Sequence, residues 1–544
     1  MSGGPVATRA AGAALFLLAL AISPEAAAGP APTAPAPLAG VCSVRDHGAT
    51  GVRTENATRA VQEAVDACHA RGGGTVYVPP GEYTTGTIVL KDNVTLWLEA
   101  GAVLYLSQDR ADFPRERAHI FAEGARNIAI RGRGRFDGQA RYEWGLPEDE
   151  DPEILEEQRL AREAGVDMRR WLRRGLQAMT FLFKQCRDVL VEDVTLVNST
   201  LWNVRLWGCD GVVMRGVTIE SDLERAANSD GVDIDGSRNV RISDCRIMTA
   251  DDAIVLKSGK WRWDGKGESF PTENVVVTNC VLSSSSSAFT IGTESYEDFR
   301  HIVLSNSVVR GSNRAFGINI QDGATVEDVL IANVTVDLSR RHWNWWGNAE
   351  LLHFVLKKRT PESRLGAVRN VVVRDVVAHV QGTSRILGPT ERPLEDVTLS
   401  GIRILVRPES TPDKRATHGL LVEGVDRLRI RDLELRWSED EPEPGWQSAV
   451  VIRKARDVEV SGFGGRSAPG TTDVPAIVVE AVEGALVRGC RALQGRFLHV
   501  GSGSRAIRLV GNDLSDASVA VSYASEDLRR AVAMEGNLLP RPPE

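Results

Sequence analysis

A short phrase recurs along most of this chain: a polar or acidic pair followed by a strand-like run of alternating apolar residues rich in Val and Ile. It is present at 187–191, 238–242 and 273–277, and it returns as far as 505–507. Many of the intervals are roughly 22 to 31 residues, and a period of this size is typical of a solenoid. Strands this short cannot bury their apolar faces alone, so successive turns must stack. We therefore predict an all-β, single-stranded, right-handed parallel β-helix; a propeller with four strands per blade is the alternative.

The two ends of the repeat differ from its middle. Residues 58–70 place apolar side chains at helical spacing, which predicts a helix that caps the open end of the solenoid. Residues 145–178 are charged and helix-prone, and we expect a long inserted loop or a helical pair there. Residues 401–544 keep the repeat phrase but carry none of the motifs described below, so we expect further coils and a closing cap.

The first residues are typical of a secretory signal. Arg9 precedes a short apolar run at 11–22, and the small residues at 26–28 offer a cleavage site. We therefore expect a signal peptide at 1–28, a Pro/Ala-rich tether at 29–40 and a single catalytic domain at 41–544. The mature protein would be secreted, either extracellular or periplasmic, without stable membrane insertion; an uncleaved N-terminal anchor is the alternative.

Charge and cysteine content exclude several other classes of protein. The chain of 544 residues has 65 Lys and Arg against 73 Asp and Glu, and these charges are well mixed. The absence of a basic stripe argues against a nucleic-acid partner. The seven cysteines include no CxxC pair, which argues against structural zinc. We expect a monomer.

Two neighbouring turns of the repeat concentrate carboxylates, at 228–237 and 249–259. Asp230 and Asp251 are 21 positions apart, about one turn of the solenoid. Because adjacent turns are separated by about 4.8 Å, the two carboxyl groups should lie side by side. Like charges that close retain a proton, which supplies an acid and a base for hydrolysis of a glycosidic bond. Solvated turns and a calcium site are the alternative interpretations.

Several short segments make the chain resemble glycoside hydrolase family 28, the polygalacturonase family of pectin-degrading enzymes. They are residues 48–50, the Gly-rich run before Tyr77, 136–139, 228–230, 251–252 and 291–294. The resemblance covers about 44–400 and implies the pectin-lyase-like form of the β-helix and a polysaccharide or oligosaccharide substrate. By this resemblance Asp251 is the general acid, and Asp230 and Asp252 hold and activate the water, with inversion at the anomeric carbon. It implies no metal and no cofactor.

Two elements of the family pattern are missing. The family has Gly-His-Gly where this chain has a run of serines at 283–287, and it has Arg-Ile-Lys where this chain has Asn319, Ile320 and Gln321. Asn and Gln can hydrogen-bond neutral hydroxyls but offer no charge to a carboxylate. We therefore expect that the sugar at the cleavage site is not a galacturonate bound in the usual way, and that it is a neutral rhamnosyl, galactosyl or other unit.

The residues predicted to bind the substrate combine the resemblance with the chemistry of sugar recognition. Trp residues on loops offer flat surfaces for sugar faces, and the loops at 341–347 and 261–263 are the candidates. His342 or His353 could replace the missing histidine in space. The predicted binding residues are Asn228, Asp233, Lys257, Glu294, Asn319, Gln321, Trp343 and Trp345.

Two other functions remain open at this point. A β-helix polysaccharide lyase would use the carboxylates to bind calcium and a basic residue to remove a proton. A noncatalytic glycan-binding solenoid would keep the scaffold without the chemistry, and the missing His, Arg and Lys are consistent with it. Paired carboxylates favour the hydrolase.

Overall fold

The computed structural model describes residues 40–540 except 115, 147–151, 168, 263–265, 342–345 and 472, with backbone only at 152–154 and 157. The predicted signal peptide and all but the last residue of the predicted tether lie outside the described residues. Within the described part of the chain, no helix is long and apolar enough to cross a membrane.

The chain winds into a right-handed parallel β-helix, as the repeat predicts. Over the described residues the coils contribute strands to two parallel sheets, of 26 and 15 strands. Sheet 1 covers two faces of each coil, because long strands such as Phe299–Ser312 run from one face into the next. Sheet 2 forms the third face and carries the site described below.

Sheet 1 is built from the following strands: Val41–Ser43, Gly74–Val78, Gly81–Thr85, Val94–Leu98, Ala102–Leu106, Arg126–Gly132, Arg135–Asp137, Arg187–Glu192, Thr195–Val197, Asp210–Arg215, Thr218–Glu220, Arg238–Ser243, Arg246–Thr249, Thr272–Thr278, Val281–Ser284, Phe299–Ser312, Thr325–Leu338, Ala367–Val380, Leu394–Val406, Val425–Trp437, Arg456–Ser461, Gly464–Gly465, Glu483–Arg488, Arg491–Ala492, Arg505–Val510 and Val532–Glu535.

Sheet 2 is built from the following strands: Ile88–Val89, Ala118–Glu123, Met179–Lys184, Val204–Trp207, Val232–Asp235, Ile254–Ser258, Ser287–Ser295, Arg314–Ile320, Glu350–Leu356, Ser384–Leu387, Leu420–Glu423, Val450–Arg453, Pro475–Glu480, Arg496–Val500 and Val519–Tyr523.

The core is a stack of apolar side chains that point into the coils. In sheet 2, for example, Leu256, Ile291 and Ile318 occupy equivalent positions on successive strands and are almost fully buried. Each such side chain stabilises the fold by roughly 1.5–3 kcal/mol relative to an exposed one. Because side chains alternate along a strand, the residues between these core positions point outward. The outward positions of sheet 2 are therefore free to form a site.

Thr58–Ala70 is the predicted capping helix, and it buries the apolar positions that the spacing indicated against the first coils. A disulfide between Cys42 and Cys68 joins it to the first strand. The other described helices are the α-helix Pro152–Glu163 and the 3-10 helices Val44–His47, Arg110–Asp112 and Glu526–Ala531.

The insertion at 145–178 differs from the expected loop or helical pair. A two-stranded antiparallel hairpin, Arg141–Gly145 with Arg170–Arg174, encloses the single described helix of this segment, Pro152–Glu163. The aromatic residues Tyr142, Trp144 and Trp171 explain the hairpin, because aromatic side chains favour strands and pair across them.

Candidate active site

A cleft of about 480 Å³ runs across the outward face of sheet 2. Most of the outward side chains that line it are polar or charged. The cleft is lined by Trp202, Asn228, Asp230, Asp251, Asp252, Lys257, Ser286, Ser287, Thr290, Gly292, Thr293, Glu294, Arg314, Asn319, Gln321, Trp346, His353, Val355, Lys357, Lys358 and Arg359.

The three candidate catalytic carboxyl groups lie on two adjacent turns. Asp230 precedes the strand Val232–Asp235, and Asp251 and Asp252 precede the next strand, Ile254–Ser258. The backbone links these turns directly, since the Gly231 N–H donates to the Asp252 carbonyl at 2.9 Å. The structure therefore brings all three residues to one part of the cleft.

Serine residues hold Asp252 in place. The Ser286 hydroxyl donates to Asp252 Oδ1 at 2.9 Å, and the backbone N–H of Ser287 donates to the same oxygen at 3.0 Å. The serine run that stands where the family has its histidine thus orients a carboxylate. Its hydroxyls are neutral, so it brings no positive charge to the site.

Lys257 is the central cation of the cleft floor. Its Nζ lies 3.1 Å from Asp233 Oδ1, 3.6 Å from Asp230 Oδ2 and 3.7 Å from Glu294 Oε2. It also lies 3.8 Å from the centre of the Trp202 ring. The Lys257 side chain is only 8% exposed, and Asp233 is fully buried. A buried ammonium with several carboxylates around it stabilises their charged forms.

The carboxyl groups differ in their affinity for protons. Burial raises the pKa of Asp230 to about 6; Lys257 opposes this rise and Asp252 adds to it. Burial, together with the charges of Asp230 and Asp252, raises the pKa of Asp251 well above its usual range. The cleft can therefore hold a protonated carboxyl group and an ionised one at the same pH, which acid–base catalysis requires. Asp233 is below this surface, and burial raises its pKa as well.

Asn319 and Gln321 lie further along the cleft. Asn319 is on the strand Arg314–Ile320, two coils beyond Ile254–Ser258, and Gln321 directly follows that strand. The cleft is open beside Asn319 because Gly317, on the same strand, has no side chain. A Cβ at Gly317 would lie 3.1 Å from Thr290 Oγ1 and 3.4 Å from Asn319 Nδ2. Asn228 lines the opposite part of the cleft, beside Asp230. The predicted binding residues with described positions all line the cleft except Asp233, which lies beneath Lys257.

Five residues of the two aromatic loops lie outside the described residues: His342, Trp343, Asn344, Trp345 and Trp263. Trp346, in the first of these loops, lines the cleft. Trp261 packs against Trp207 with ring centres 4.9 Å apart, and Lys184 lies 4.4 Å from its centre.

His353 lies in the cleft, away from the position of the missing histidine. It pairs with Gly317, three coils beyond Val255, which places it about 14 Å from the coil of Asp252 at about 4.8 Å per coil. Burial, with Arg314 and Arg385 nearby, lowers its pKa well below the usual range. A neutral imidazole at this distance does not replace a cation beside Asp252.

Sequence reasoning missed Trp202 as a cleft residue. In the strand register Val204 pairs with Val232, and Val232 pairs with Ile254. Counting back two residues from each places Trp202, Asp230 and Asp252 in one row across three coils. An alignment of the repeat phrases by their core positions would have revealed this equivalence. Arg314 stands further along the same row, and it is buried in an ion pair with Glu350 at 2.7 Å.

Comparison with known proteins assigns this chain to a family. The model of the glycosyl hydrolases family 28 matches residues 68–417. A probable polygalacturonase of Vitis vinifera is 25% identical over 389 residues, which cover 66% of this chain and 74% of that protein. An exopolygalacturonase of Platanus acerifolia is 23% identical over 264 residues, which cover 47% of this chain and 60% of that protein.

Solved structures share the fold. The hyperthermoactive exopolygalacturonase of Thermotoga maritima superposes with a TM-score of 0.56 and 23% identity, over 73% of this chain and 91% of that one. The family 28 exopolygalacturonase of Yersinia enterocolitica gives a TM-score of 0.53 and 18% identity, over 76% and 78%. Since the family match spans more than half of the sequence, the chain belongs to the glycosyl hydrolases family 28 and is a polygalacturonase-like enzyme that hydrolyses O-glycosyl bonds.

Proposed function

We propose that this enzyme cleaves a glycosidic bond in a pectin-related polysaccharide or oligosaccharide by acid–base catalysis on Asp230, Asp251 and Asp252, with inversion at the anomeric carbon. The observation that carries the proposal is the convergence of these carboxyl groups in one cleft, where burial raises the pKa of both Asp230 and Asp251. We also propose secretion, which the signal-like N-terminus and the Cys42–Cys68 disulfide support.

Asp251 acts as the general acid. Its burial and the neighbouring negative charges raise the pKa of the carboxyl group and so favour its protonated form. As the glycosidic C–O bond breaks, its electron pair goes to the leaving oxygen and Asp251 gives that oxygen its proton. The resulting negative charge on Asp251 is close to the ammonium of Lys257, which acts on it electrostatically.

Asp252 and Asp230 position and deprotonate the attacking water. Ser286 and Ser287 fix the direction of the Asp252 carboxylate, so one oxygen stays available for the water. The water oxygen forms the new bond to the anomeric carbon, and its proton passes to the ionised carboxylate. No metal ion is required for these steps.

The substrate is proposed from the cleft lining. Asn319 and Gln321 suit the hydroxyls of an uncharged sugar, whereas Lys358 places positive charge one coil further on; the charge of the neighbouring Arg359 is already paired with Asp322 at 2.7 Å. This combination fits a pectic chain that carries carboxylates without placing one at the Asn319 position.

The test uses the purified protein from residue 29 onward against polygalacturonate, rhamnogalacturonan, neutral plant polysaccharides and aryl glycosides, with and without a chelator. Release of reducing ends by the wild type but not by Asp251→Asn, unaffected by chelator, would support the hydrolase. Asp210→Asn is the matched control, since Asp210 forms a surface pair with Arg238 on sheet 1. Loss of activity on chelation would favour a calcium-dependent lyase, and sugar binding without any cleavage would favour a glycan-binding solenoid.

A further inference from the structure

The hairpin of the insertion turns one face towards the catalytic turns. In its register Tyr142 stands opposite Arg173, so their side chains share a face. Tyr142 packs against the cluster formed by Ala226 and Ala250, as does Ala227. Ala250 directly precedes Asp251, and Ala226 and Ala227 lie just before Asn228. Arg173 is therefore directed to the same side as the cleft.

Arg173 is a half-buried guanidinium with most of its donors unused. Its Nη1 donates to the Thr200 carbonyl at 2.9 Å, and among the described residues no other hydrogen bond or ion pair involves its guanidinium. A guanidinium has five N–H donors, so several remain for a ligand. Burial lowers the pKa of Arg173, and Asp230 and Asp251 are the nearby negative charges that oppose this most.

The neighbouring arginine shows the contrast between the two faces of the hairpin. Arg174 points the other way, is 53% exposed, and pairs with Glu143 at 2.6 Å. The hairpin thus neutralises its outward arginine, whereas its inward one has no ion-pair partner among the described residues. A partly desolvated guanidinium with free donors is suited to a carboxylate, which it can bind with two parallel hydrogen bonds.

Arg173 and Asn319 lie on opposite sides of the catalytic carboxyl groups along the helix axis. Thr200, the anchor of Arg173, precedes the strand Val204–Trp207, one coil before Asp230, whereas Asn319 lies two coils beyond Asp252. Arg173 lies just outside the lining of the cleft, where it donates to the Thr200 carbonyl two residues before Trp202. A sugar chain that extends along the axis past Trp202 would therefore reach Arg173 on one side of the bond that is cleaved and Asn319 on the other.

We propose that Arg173 binds the carboxylate of a uronic acid unit on the Trp202 side of the scissile bond, while Asn319 and Gln321 contact an uncharged unit on the other side. The proposal rests on the proposed function, because it assumes that the cleft holds a sugar chain. It makes Arg173 a specificity-determining residue that the resemblance to the family does not provide.

The experiment compares wild type, Arg173→Gln, Arg173→Lys and Arg174→Gln on oligogalacturonate and rhamnogalacturonan oligosaccharides, each as the free acid and as the methyl ester. Esterification should lower kcat/KM of the wild type about 10- to 100-fold, the effect of a lost hydrogen bond to a charged group. Arg173→Gln should lose the same factor on the free acid, and the effect of esterification should shrink by that factor, leaving only what a second carboxylate at Lys358 contributes. Arg173→Lys should recover part of the loss, and Arg174→Gln should match the wild type.

Other outcomes separate this proposal from the proposed function. Equal wild-type activity on acid and ester, or an equal loss on both forms in Arg173→Gln, would overturn the role of Arg173 and leave the hydrolase intact. A shift of the pH profile in Arg173→Gln with no change in acid-over-ester preference would also overturn it, since that is the signature of an effect on the catalytic carboxyl groups. If the wild type cleaves nothing, calorimetric titration with the acid and ester forms of the same oligosaccharides tests the site by binding. Wild-type binding that favours the acid, lost in Arg173→Gln, would support the carboxylate site although the hydrolase proposal fails. Equal wild-type binding of acid and ester would overturn the role of Arg173.

Discussion

Replacing Lys257 with methionine removes the cation that pairs with the buried carboxylates at the floor of the cleft. The variant leaves Asp233 and Asp230 buried without the ammonium that lies 3.1 and 3.6 Å from them. Breaking a buried ion pair by removing one partner costs about 3–5 kcal/mol, and methionine keeps most of the lysine volume, so the loss reports the charge. We therefore expect Lys257→Met to lower the free energy of unfolding by about 3–5 kcal/mol at pH 7.

The loss of stability in Lys257→Met should depend on pH, and the direction of that dependence tests whether the lost charge is its cause. The pKa of Lys257 is raised, so its stabilising charge is present throughout the acidic and neutral range. In the variant the buried carboxyl groups can avoid ionisation by taking up protons as the pH falls, because burial already raises the pKa of Asp233 and Asp230. The penalty should therefore be largest at pH 7 to 8 and should shrink by at least about 1.4 kcal/mol towards pH 4.

The assay is urea unfolding followed by tryptophan fluorescence at several pH values. Lys454→Met is the matched control, because Lys454 forms an exposed pair with Glu423 at 2.7 Å and should cost no more than about 1 kcal/mol. The double variant Lys257→Met/Asp233→Asn should recover at least half of the loss, since one buried charge is removed with its partner. A penalty that equals the control, or one that does not change with pH, would refute the reasoning.

Three further predictions concern catalysis. The kcat/KM of the wild type should fall tenfold per pH unit below about pH 6, where Asp230 takes up a proton and no longer acts as a base. The same acidic fall of kcat/KM in the residual activity of Asp230→Asn would contradict this. Ser286→Ala should lower kcat about 3- to 10-fold through the lost hydrogen bond, whereas Ser287→Ala, which keeps its backbone donor, should not; kinetics of both variants measure the difference. Replacing Asn319 with Arg and Gln321 with Lys should raise kcat/KM on polygalacturonate relative to neutral substrates about tenfold, and an unchanged ratio would show that the two positions do not select charge.

The repeat predicted the fold because its signal is local and redundant. Each coil repeats the same Val- and Ile-rich strands, so loop insertions do not hide the period. The helix at 58–70 was likewise readable from its apolar spacing. The insertion was less predictable, because its charged residues are compatible with helix while Trp144 and Trp171 favour the hairpin that forms.

The site was predictable only where the sequence spacing equals one coil. Asp230 and Asp251 are 21 residues apart without an insertion between them, so their proximity followed directly. Trp202 lies on a different coil, and only the strand register shows that it is equivalent to Asp230. Arg173 lies on the hairpin, and only the packing of Tyr142 shows that this face is directed to the catalytic turns. The proton affinities also needed the structure, since they depend on burial and on distances to Lys257.

The row that contains Trp202, Asp230, Asp252 and Arg314 sets side chains at regular intervals along the cleft. Each coil contributes one side chain per row at a constant spacing of about 4.8 Å. Substituting one of these residues changes a single contact with the substrate. Gaining or losing a whole coil between Asp252 and Asn319 would shift every binding side chain beyond it by one coil spacing and would leave the catalytic carboxyl groups unchanged. A protein of this shape can therefore revise which unit of a polymer it recognises without rebuilding the place where it cuts.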